Sequence, residues 1–385
     1  MIYLDYSANT PVDPAVLKVY ADTALHFPGN PNSAHAAGRE AAGEMARVTE
    51  RIAAELTSAN EGSKAVLPEE LIYTSGSSES NNLAVKGFAH AQRHKGRHII
   101  STALEHSSLS GALTALKDQG WEIDLISTGR DGKIDLEELR SLLRKDTVLV
   151  AVSAVDSELG TRQPVREIAD ILKDFPGTRL HVDATQAVGK APLIFDGVDT
   201  LCFTPHKFYG LLGCGILYKR KGVILEPQIN GGVSTTMYRS GTPDLAGAAA
   251  LEKALDLALT GYRERTDRVR ALNARLREAL RAYPDVSINS PEDAVPHILN
   301  LSVKGIKGDA FQQALDKRGV CISVKSACSV KGTPSKAVYA VCHDRRRAME
   351  SWRISLSHLT TNEEIDGFLQ AFDDCMRDET LTQRK

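Results

Sequence analysis

The sequence predicts an α/β fold in which a mainly parallel seven-stranded sheet is flanked by helices and followed by a smaller α+β domain. Three observations carry this. Between residues 70 and 220, seven short apolar runs alternate with segments of helical spacing. Beyond Gly247 the pattern changes to long helices and a few separated strands. At 385 residues, the chain is also long for a single hydrophobic core.

The seven runs cover residues 71–74, 98–101, 122–126, 148–152, 180–182, 200–203 and 215–218. Residues 136–143 and 165–173 lie between them with apolar side chains at helical spacing. Such alternation implies parallel strands with helices on both faces, and ligands in such sheets bind beyond the carboxyl ends of the strands. Function is therefore expected in the polar residues that follow the runs. Further along, 248–259 reads as an Ala- and Leu-rich helix. Residues 262–283 read as another, with Val269, Leu272, Leu276 and Leu280 on one face. Its seven arginines are expected to form a solvated face. Strands at 297–303, 320–324 and 352–356 alternate with helices at 309–318 and 362–376.

Composition narrows the class. Hydrophobic residues make up 42% and charged residues 25%, ordinary values for a globular enzyme. The net charge of -2 gives no sign of nucleic acid or an anionic membrane as the main partner. No apolar run approaches a membrane span, and the first residues lack the pattern of a signal peptide, so a cytoplasmic location is expected. The six cysteines are scattered without a CxxC pair. They are expected as free thiols, mostly buried, with no zinc site.

Lys207 stands just beyond the run at 200–203, in the segment Thr204-Pro-His-Lys207-Phe-Tyr-Gly210. A lysine so placed can be desolvated, and its amine then becomes nucleophilic enough to form an imine. Asp183 ends the run at 180–182, with Gln186 shortly after. An acid and a lysine at the ends of two strands suggest pyridoxal phosphate: the lysine forms the Schiff base and the acid holds the pyridinium nitrogen. Tyr73-Thr-Ser-Gly-Ser-Ser78 reads as strand, turn and helix start, where backbone N–H groups with Ser77 and Ser78 suit a phosphate. The same serines also fit ordinary helix caps. His106 follows the run at 98–101, where it fits a ring-stacking proton shuttle or a structural histidine. Cys328 sits in a polar, Gly- and Pro-bearing stretch, 323–334, expected as an exposed loop in which Lys325 and Lys331 favour the thiolate. Arg353 lies in a strand-like run and suits a bidentate grip on a carboxylate.

In order along nearly the whole chain, these segments resemble class V aminotransferase-fold enzymes, and among them cysteine desulfurases of the NifS/IscS-like group. The resemblance is carried by Tyr3-Leu-Asp-Tyr-Ser-Ala8, Thr74-Ser-Gly76, Glu79-Ser-Asn81, Glu105-His-Ser107 and His181-Val-Asp-Ala-Thr-Gln186. It continues through His206-Lys207, Tyr209-Gly210, Arg239-Ser-Gly-Thr242, Ser326-Ala-Cys-Ser329 and Arg353. It implies the fold of type I pyridoxal-phosphate enzymes. The expected division is a large cofactor-binding domain over 15–255 and a small domain over 1–14 and 256–385, the latter carrying Cys328 and Arg353.

By the resemblance, Lys207 holds the cofactor, Asp183 partners the pyridine nitrogen and His106 stacks on the ring. Gln186 and Ser157 match contacts to the ring hydroxyl. Ser78, Thr204 and His206 match the phosphate site, to which the helix-start reading above adds Ser77. Thr242 matches a phosphate contact from the other subunit, which implies a homodimer with shared sites. Arg353 matches the clamp on the carboxylate of L-cysteine, and Cys328 the thiol that takes up its sulfur as a persulfide. The product is L-alanine, and the sulfur passes to an acceptor such as an iron–sulfur scaffold protein.

The chain departs from the family pattern at Val155-Asp-Ser-Glu-Leu-Gly160, where the family has Val-Asn-Asn-Glu-x-Gly. Asp156 is expected to add negative charge near the ring. Gly231-Gly-Val-Ser-Thr-Thr-Met237 replaces a more charged run, and the tail is expected to lack a scaffold-docking segment. Selenocysteine lyase on the same fold stays open, as does a sulfur-relay subunit with weakened catalysis.

Overall fold

The computed structural model describes residues 1–232, 234–325, 332–378 and 381. In chain order its elements begin with β1 (Ile2–Tyr3), α1 (Pro14–His26), α2 (Ala36–Ala59), β2 (Leu71–Thr74), α3 (Ser77–Gln92), β3 (His98–Thr102), α4 (Ser107–Lys117) and β4 (Glu122–Ile126). The chain continues through α5 (Leu136–Leu142), β5 (Thr147–Ser153), α6 (Val165–Leu172), β6 (Arg179–Asp183), β7 (Thr200–Phe203) and β8 (Gly215–Lys219). Then come α7 (Leu245–Leu259), α8 (Tyr262–Arg281), β9 (Val286–Ile288), β10 (Ile298–Val303), α9 (Gly308–Asp316) and β11 (Val320–Cys321). The last are α10 (Lys336–Cys342), α11 (Arg345–Met349), β12 (Ser351–Ser355) and α12 (Asn362–Met376).

The large sheet has seven strands in the order β2-β8-β7-β6-β5-β3-β4. Strands β4, β3, β5, β6 and β7 run parallel, whereas β8 is antiparallel to both β7 and β2. The expected fold is thus borne out. Every residue of β5 is buried, as an apolar strand covered on both faces requires. Register then places chemistry: Ser153, the last residue of β5, pairs with Asp183, the last of β6. Strand order reverses where β5 returns to the far side of β3 from β4, so the segments after β3 and β5 open a crevice between them.

Helices α1, α2 and α4 lie in regions where no element was expected. In α2 the buried residues Ala41, Met45, Val48, Ile52 and Leu56 keep helical spacing, but many small and polar residues between them dilute the pattern. Local caps set the starts: Asp13 accepts from Ala15 N ahead of α1, and His106 accepts from Ser108 N ahead of α4.

The second sheet, β12-β10-β9, covers an apolar cluster that includes Leu4, Leu276, Phe311, Trp352, Phe368 and Phe372. Trp352 is fully buried and stacks on Phe311 at 5.0 Å between ring centroids. The strand expected at 320–324 is shorter, because only Val320 and Cys321 pair with β1, while Ser323 bridges to Arg353. The arginine face of α8 is only partly solvated. Arg277 is buried and donates to the carbonyls of Ser290 and Pro291, and Arg265 donates to Ala258 O at 2.7 Å. Of the five described cysteines, all free, only Cys202 and Cys375 are buried, fewer than expected. No metal-binding cluster occurs among the described residues, and no described helix is long and apolar enough to cross a membrane.

Truncating the stacked indole tests this packing. Trp352→Ala should cost about 3–5 kcal/mol in denaturant unfolding, whereas an unchanged midpoint would contradict the buried stack.

Candidate active site

A cavity of about 360 Å³ opens at the carboxyl edge of the parallel strands. Its walls bring together ten of the twelve candidate residues: Ser77, Ser78, His106, Ser157, Asp183, Gln186, Thr204, His206, Lys207 and Arg353. Thr242 is not among them; it is exposed on the segment leading to α7. Cys328 lies outside the described residues.

One wall is the start of α3. Gly76, the residue before the helix, has φ +146°, a conformation that favours glycine. Gly215 on β8 must also lack a side chain, since a Cβ there would meet Gly76 Cα at 2.7 Å. The helix therefore starts against the sheet with its first N–H groups at the cavity, an arrangement that attracts anions. Ser77 and Ser78 lie in this first turn rather than at the cap, and Ser77 Oγ accepts from Thr185 Oγ1 at 2.7 Å. Burial works to raise the Glu79 carboxyl, but hydrogen bonds from Arg239 and Ser75 outweigh it and hold it below its ordinary range.

The lysine wall is a tight turn after β7. A Cβ on Gly210 would meet Pro205 Cβ at 2.3 Å, so only glycine closes this turn. The adjacent Tyr209 has φ +68°, a strained value for a non-glycine residue. It is held by Thr10 Oγ1, which accepts from its N–H, and by Ser357 on its hydroxyl. Lys207 Nζ donates to Ser7 O at 2.9 Å and Ala8 O at 2.6 Å. Thr204 Oγ1 donates to Cys214 O, so the 2.9 Å contact from His206 Nδ1 carries the ring proton toward Thr204. Burial, then the charges of Lys207 and Lys190, push His206 down to about 4.

Asp183 faces the lysine from β6. Its Oδ2 accepts from Asn81 Nδ2 at 2.8 Å and its Oδ1 from Thr185 N at 2.9 Å. His106 caps α4, with Nδ1 accepting from Ser108 N. Burial lowers its pKa; the Asp183 charge opposes this, and Lys207 and Arg353 add to it. Gln186 donates to Ser7 O, and its Oε1 accepts from Lys190 Nζ at 2.8 Å. Burial first, with the charges of Lys207 and Arg353, pushes Lys190 down to about 7. Arg353 reaches in from β12, donating to Ser157 O at 2.6 Å and pairing with Asp5 at 3.0 Å, while its Nε is buried without a partner.

Asp156 corrects the expectation of charge near the ring. Its carboxylate is not at the cavity; Oδ1 accepts from the backbone N–H groups of Glu158 and Leu159, closing the turn that presents Ser157. Burial and the neighbouring Glu158 push it up to about 7, which favours the neutral acid. Sequence reasoning also missed Asp5, Lys190, Ser108 and the role of Asn81. Asp5 and Asn81 carried a signal, both lying in stretches that bear the resemblance, and Asn81 also as an amide among the apolar residues of the inner face of α3.

Behind the cavity, Glu105 is buried between Thr102 and Ser153, which donate to it at 2.7 and 2.6 Å. Burial pushes its pKa up to about 7 against those two donors. A raised acid pKa means that the folded state binds the extra proton. This contribution is therefore full below about 4.5 and lost as pH rises through about 7. Glu105→Gln should gain stability relative to wild type between pH 5 and pH 8 in paired unfolding titrations, and a pH-independent difference would contradict the buried acid.

Comparison with known proteins places the chain among relatives of matching length. A family model described as aminotransferase class-V matches residues 2–368. A NifS/IcsS protein homolog of Lactobacillus delbrueckii subsp. bulgaricus is 37% identical over 97% of both chains. A cysteine desulfurase IscS of Dictyoglomus turgidum is 35% identical over 95% of this chain and 92% of its own. A solved NifS-like protein superposes with a TM-score of 0.89 at 33% identity, covering 97% of this chain and 99% of its own.

Proposed function

The chain belongs to the aminotransferase class-V family, and from that membership we propose that it is a pyridoxal-phosphate-dependent cysteine desulfurase. The observation that carries the reading is the meeting of Lys207, Asp183, His106 and Arg353 around one cavity. The donor set fits the cofactor. The N-terminus of α3, Ser77, Ser78, Thr204 and His206 suit its phosphate, and a phosphate there would favour the proton that burial takes from His206. Asp183 suits the pyridine nitrogen, Gln186 and Ser157 the ring hydroxyl, and Lys207 the covalent anchor. Bound there, the cofactor supplies an electron sink.

The chain's own residues then have defined tasks. Arg353, oriented by Asp5 and Ser157 O, binds the carboxylate of L-cysteine. His106, on the cavity wall, would lie beside the cofactor ring and hold or move a proton there. Cys328 takes the sulfur: L-cysteine plus the thiol gives L-alanine plus a persulfide, with the substrate C–S bond broken and an S–S bond formed. The persulfide sulfur then leaves to an acceptor, an iron–sulfur scaffold protein or a thiolation pathway. That chemistry needs a reducing compartment, the cytoplasm, where the described cysteines stay free.

A homodimer is part of the reading. Thr242 is exposed and away from its own cavity, where a second copy would use it. Leu17, Leu25, Leu212 and Met237 are apolar side chains each more than half exposed, which a partner subunit would cover. The proposed division into 15–255 and 1–14 with 256–385 is supported by Leu4, which packs with Val269, Leu276 and Phe372 rather than with the large sheet.

The purified protein should carry a visible absorption band after incubation with pyridoxal phosphate and should form L-alanine from L-cysteine. Lys207→Ala should abolish both. A wild-type protein that takes up no cofactor, or a variant that keeps full activity, would overturn the proposal.

A further inference from the structure

Asn81 sits in the second turn of α3, fully buried, and every polar atom of its amide is engaged. Nδ2 donates to Asp183 Oδ2 at 2.8 Å and to Ser108 Oγ at 2.9 Å. Oδ1 accepts from His181 Nε2 at 2.8 Å and from Cys202 Sγ at 3.0 Å. We propose that Asn81 is a positioning residue that orients the Asp183 carboxylate and, through Ser108, fixes His106 in the Nε2–H tautomer. The proposal uses the functional reading above only in taking this cavity as the reaction site; the proton assignments do not depend on it.

The argument starts from what each group is able to give. A carboxylate only accepts, so the NH2 side of the amide must face Asp183 and its oxygen must face His181. His181 then donates from Nε2, and its Nδ1 accepts from Thr200 Oγ1 at 2.9 Å. Burial, against the Asp183 charge, pushes His181 down to about 4, so the ring stays neutral. On the other branch, Ser108 Oγ accepts an amide hydrogen and keeps its own proton available for His106 Nδ1 at 2.9 Å. The Ser108 backbone N–H points at the same nitrogen at 3.2 Å. Two donors on Nδ1 place the ring proton of His106 on Nε2. A neutral histidine so fixed gives a proton from Nε2 rather than taking one there.

A purely structural role would have Asn81 do no more than satisfy the buried Asp183. Ser108→Ala separates the two, because it removes the hydroxyl donor to His106 Nδ1, leaving there only the longer 3.2 Å backbone contact, and keeps the Asn81–Asp183 and Thr185–Asp183 hydrogen bonds in place. The full chain, labelled with 15N-histidine and measured with and without pyridoxal phosphate, reports the tautomer of each ring by long-range 15N–1H correlation. His106→Gln assigns the signal.

Wild type should show His106 as Nε2–H alone. Ser108→Ala and Asn81→Ala should both show a detectable Nδ1–H fraction. For Ser108→Ala, kcat should fall on the order of tenfold, the worth of one hydrogen bond, while KM for cysteine stays within about twofold. An unchanged single tautomer in Ser108→Ala overturns the proposal, even where Asn81→Ala fails to fold. A protein that makes no alanine at all refutes the functional reading, while the tautomer spectra still decide this one.

Discussion

A carboxylate taken out of water must find fixed donors, or burying it costs several kcal/mol and favours its neutral form. The end of β6 is built around that constraint. Asp183, only 5% exposed, is held by Asn81 from α3 and by the Thr185 N–H of its own chain. Asn81 is held in turn by His181 and Cys202, which occupy β6 and the neighbouring β7. Keeping this amide in place fixes where α3 starts against the sheet. The same helix end supplies the anion-attracting wall of the cavity, so the acid and that wall are positioned by one set of contacts.

The lysine side depends on a different join. Residues 5–8 run between the two sheets, and their backbone and side chains are shared out among distant partners. Ser7 O and Ala8 O accept from Lys207, Ser7 O also accepts from Gln186, and Asp5 pairs with Arg353. Ser323, which pairs with Arg353 across the backbone, donates to the second oxygen of Asp5. The arginine proposed to bind substrate and the stretch leading toward Cys328 thus hang from the same N-terminal segment that holds the lysine. Movement of the small sheet relative to the large one would be felt at both.

Much of this was legible in the sequence, and the reason is local. The inner strands of the large sheet showed as apolar runs because they are buried on both faces, while the edge strand β4 keeps Glu122 and Leu125 exposed, and the polar residues ending the runs became visible by contrast. Asp183 and Lys207 were found in this way. Asn81 and Asp5 were not given roles, because theirs come from contacts with residues far along the chain: Asp183 lies 102 residues from Asn81, and Arg353 lies 348 from Asp5. Asp156 misled for a related reason. Its sequence position predicts a charge beside the ring, yet the tight turn it closes points the carboxylate into the backbone. Thr242 was legible only through resemblance, and one chain alone does not bring it to the cavity.

The most direct measurement of the central claim is the mass of the Cys328 peptide after a single turnover with L-cysteine in the absence of reductant. The account predicts the gain of one sulfur atom on that peptide, in step with L-alanine formation, and no gain in a Lys207→Ala control. Alanine formed while Cys328 stays unmodified and the sulfur appears on another cysteine, or as free sulfide, would contradict it.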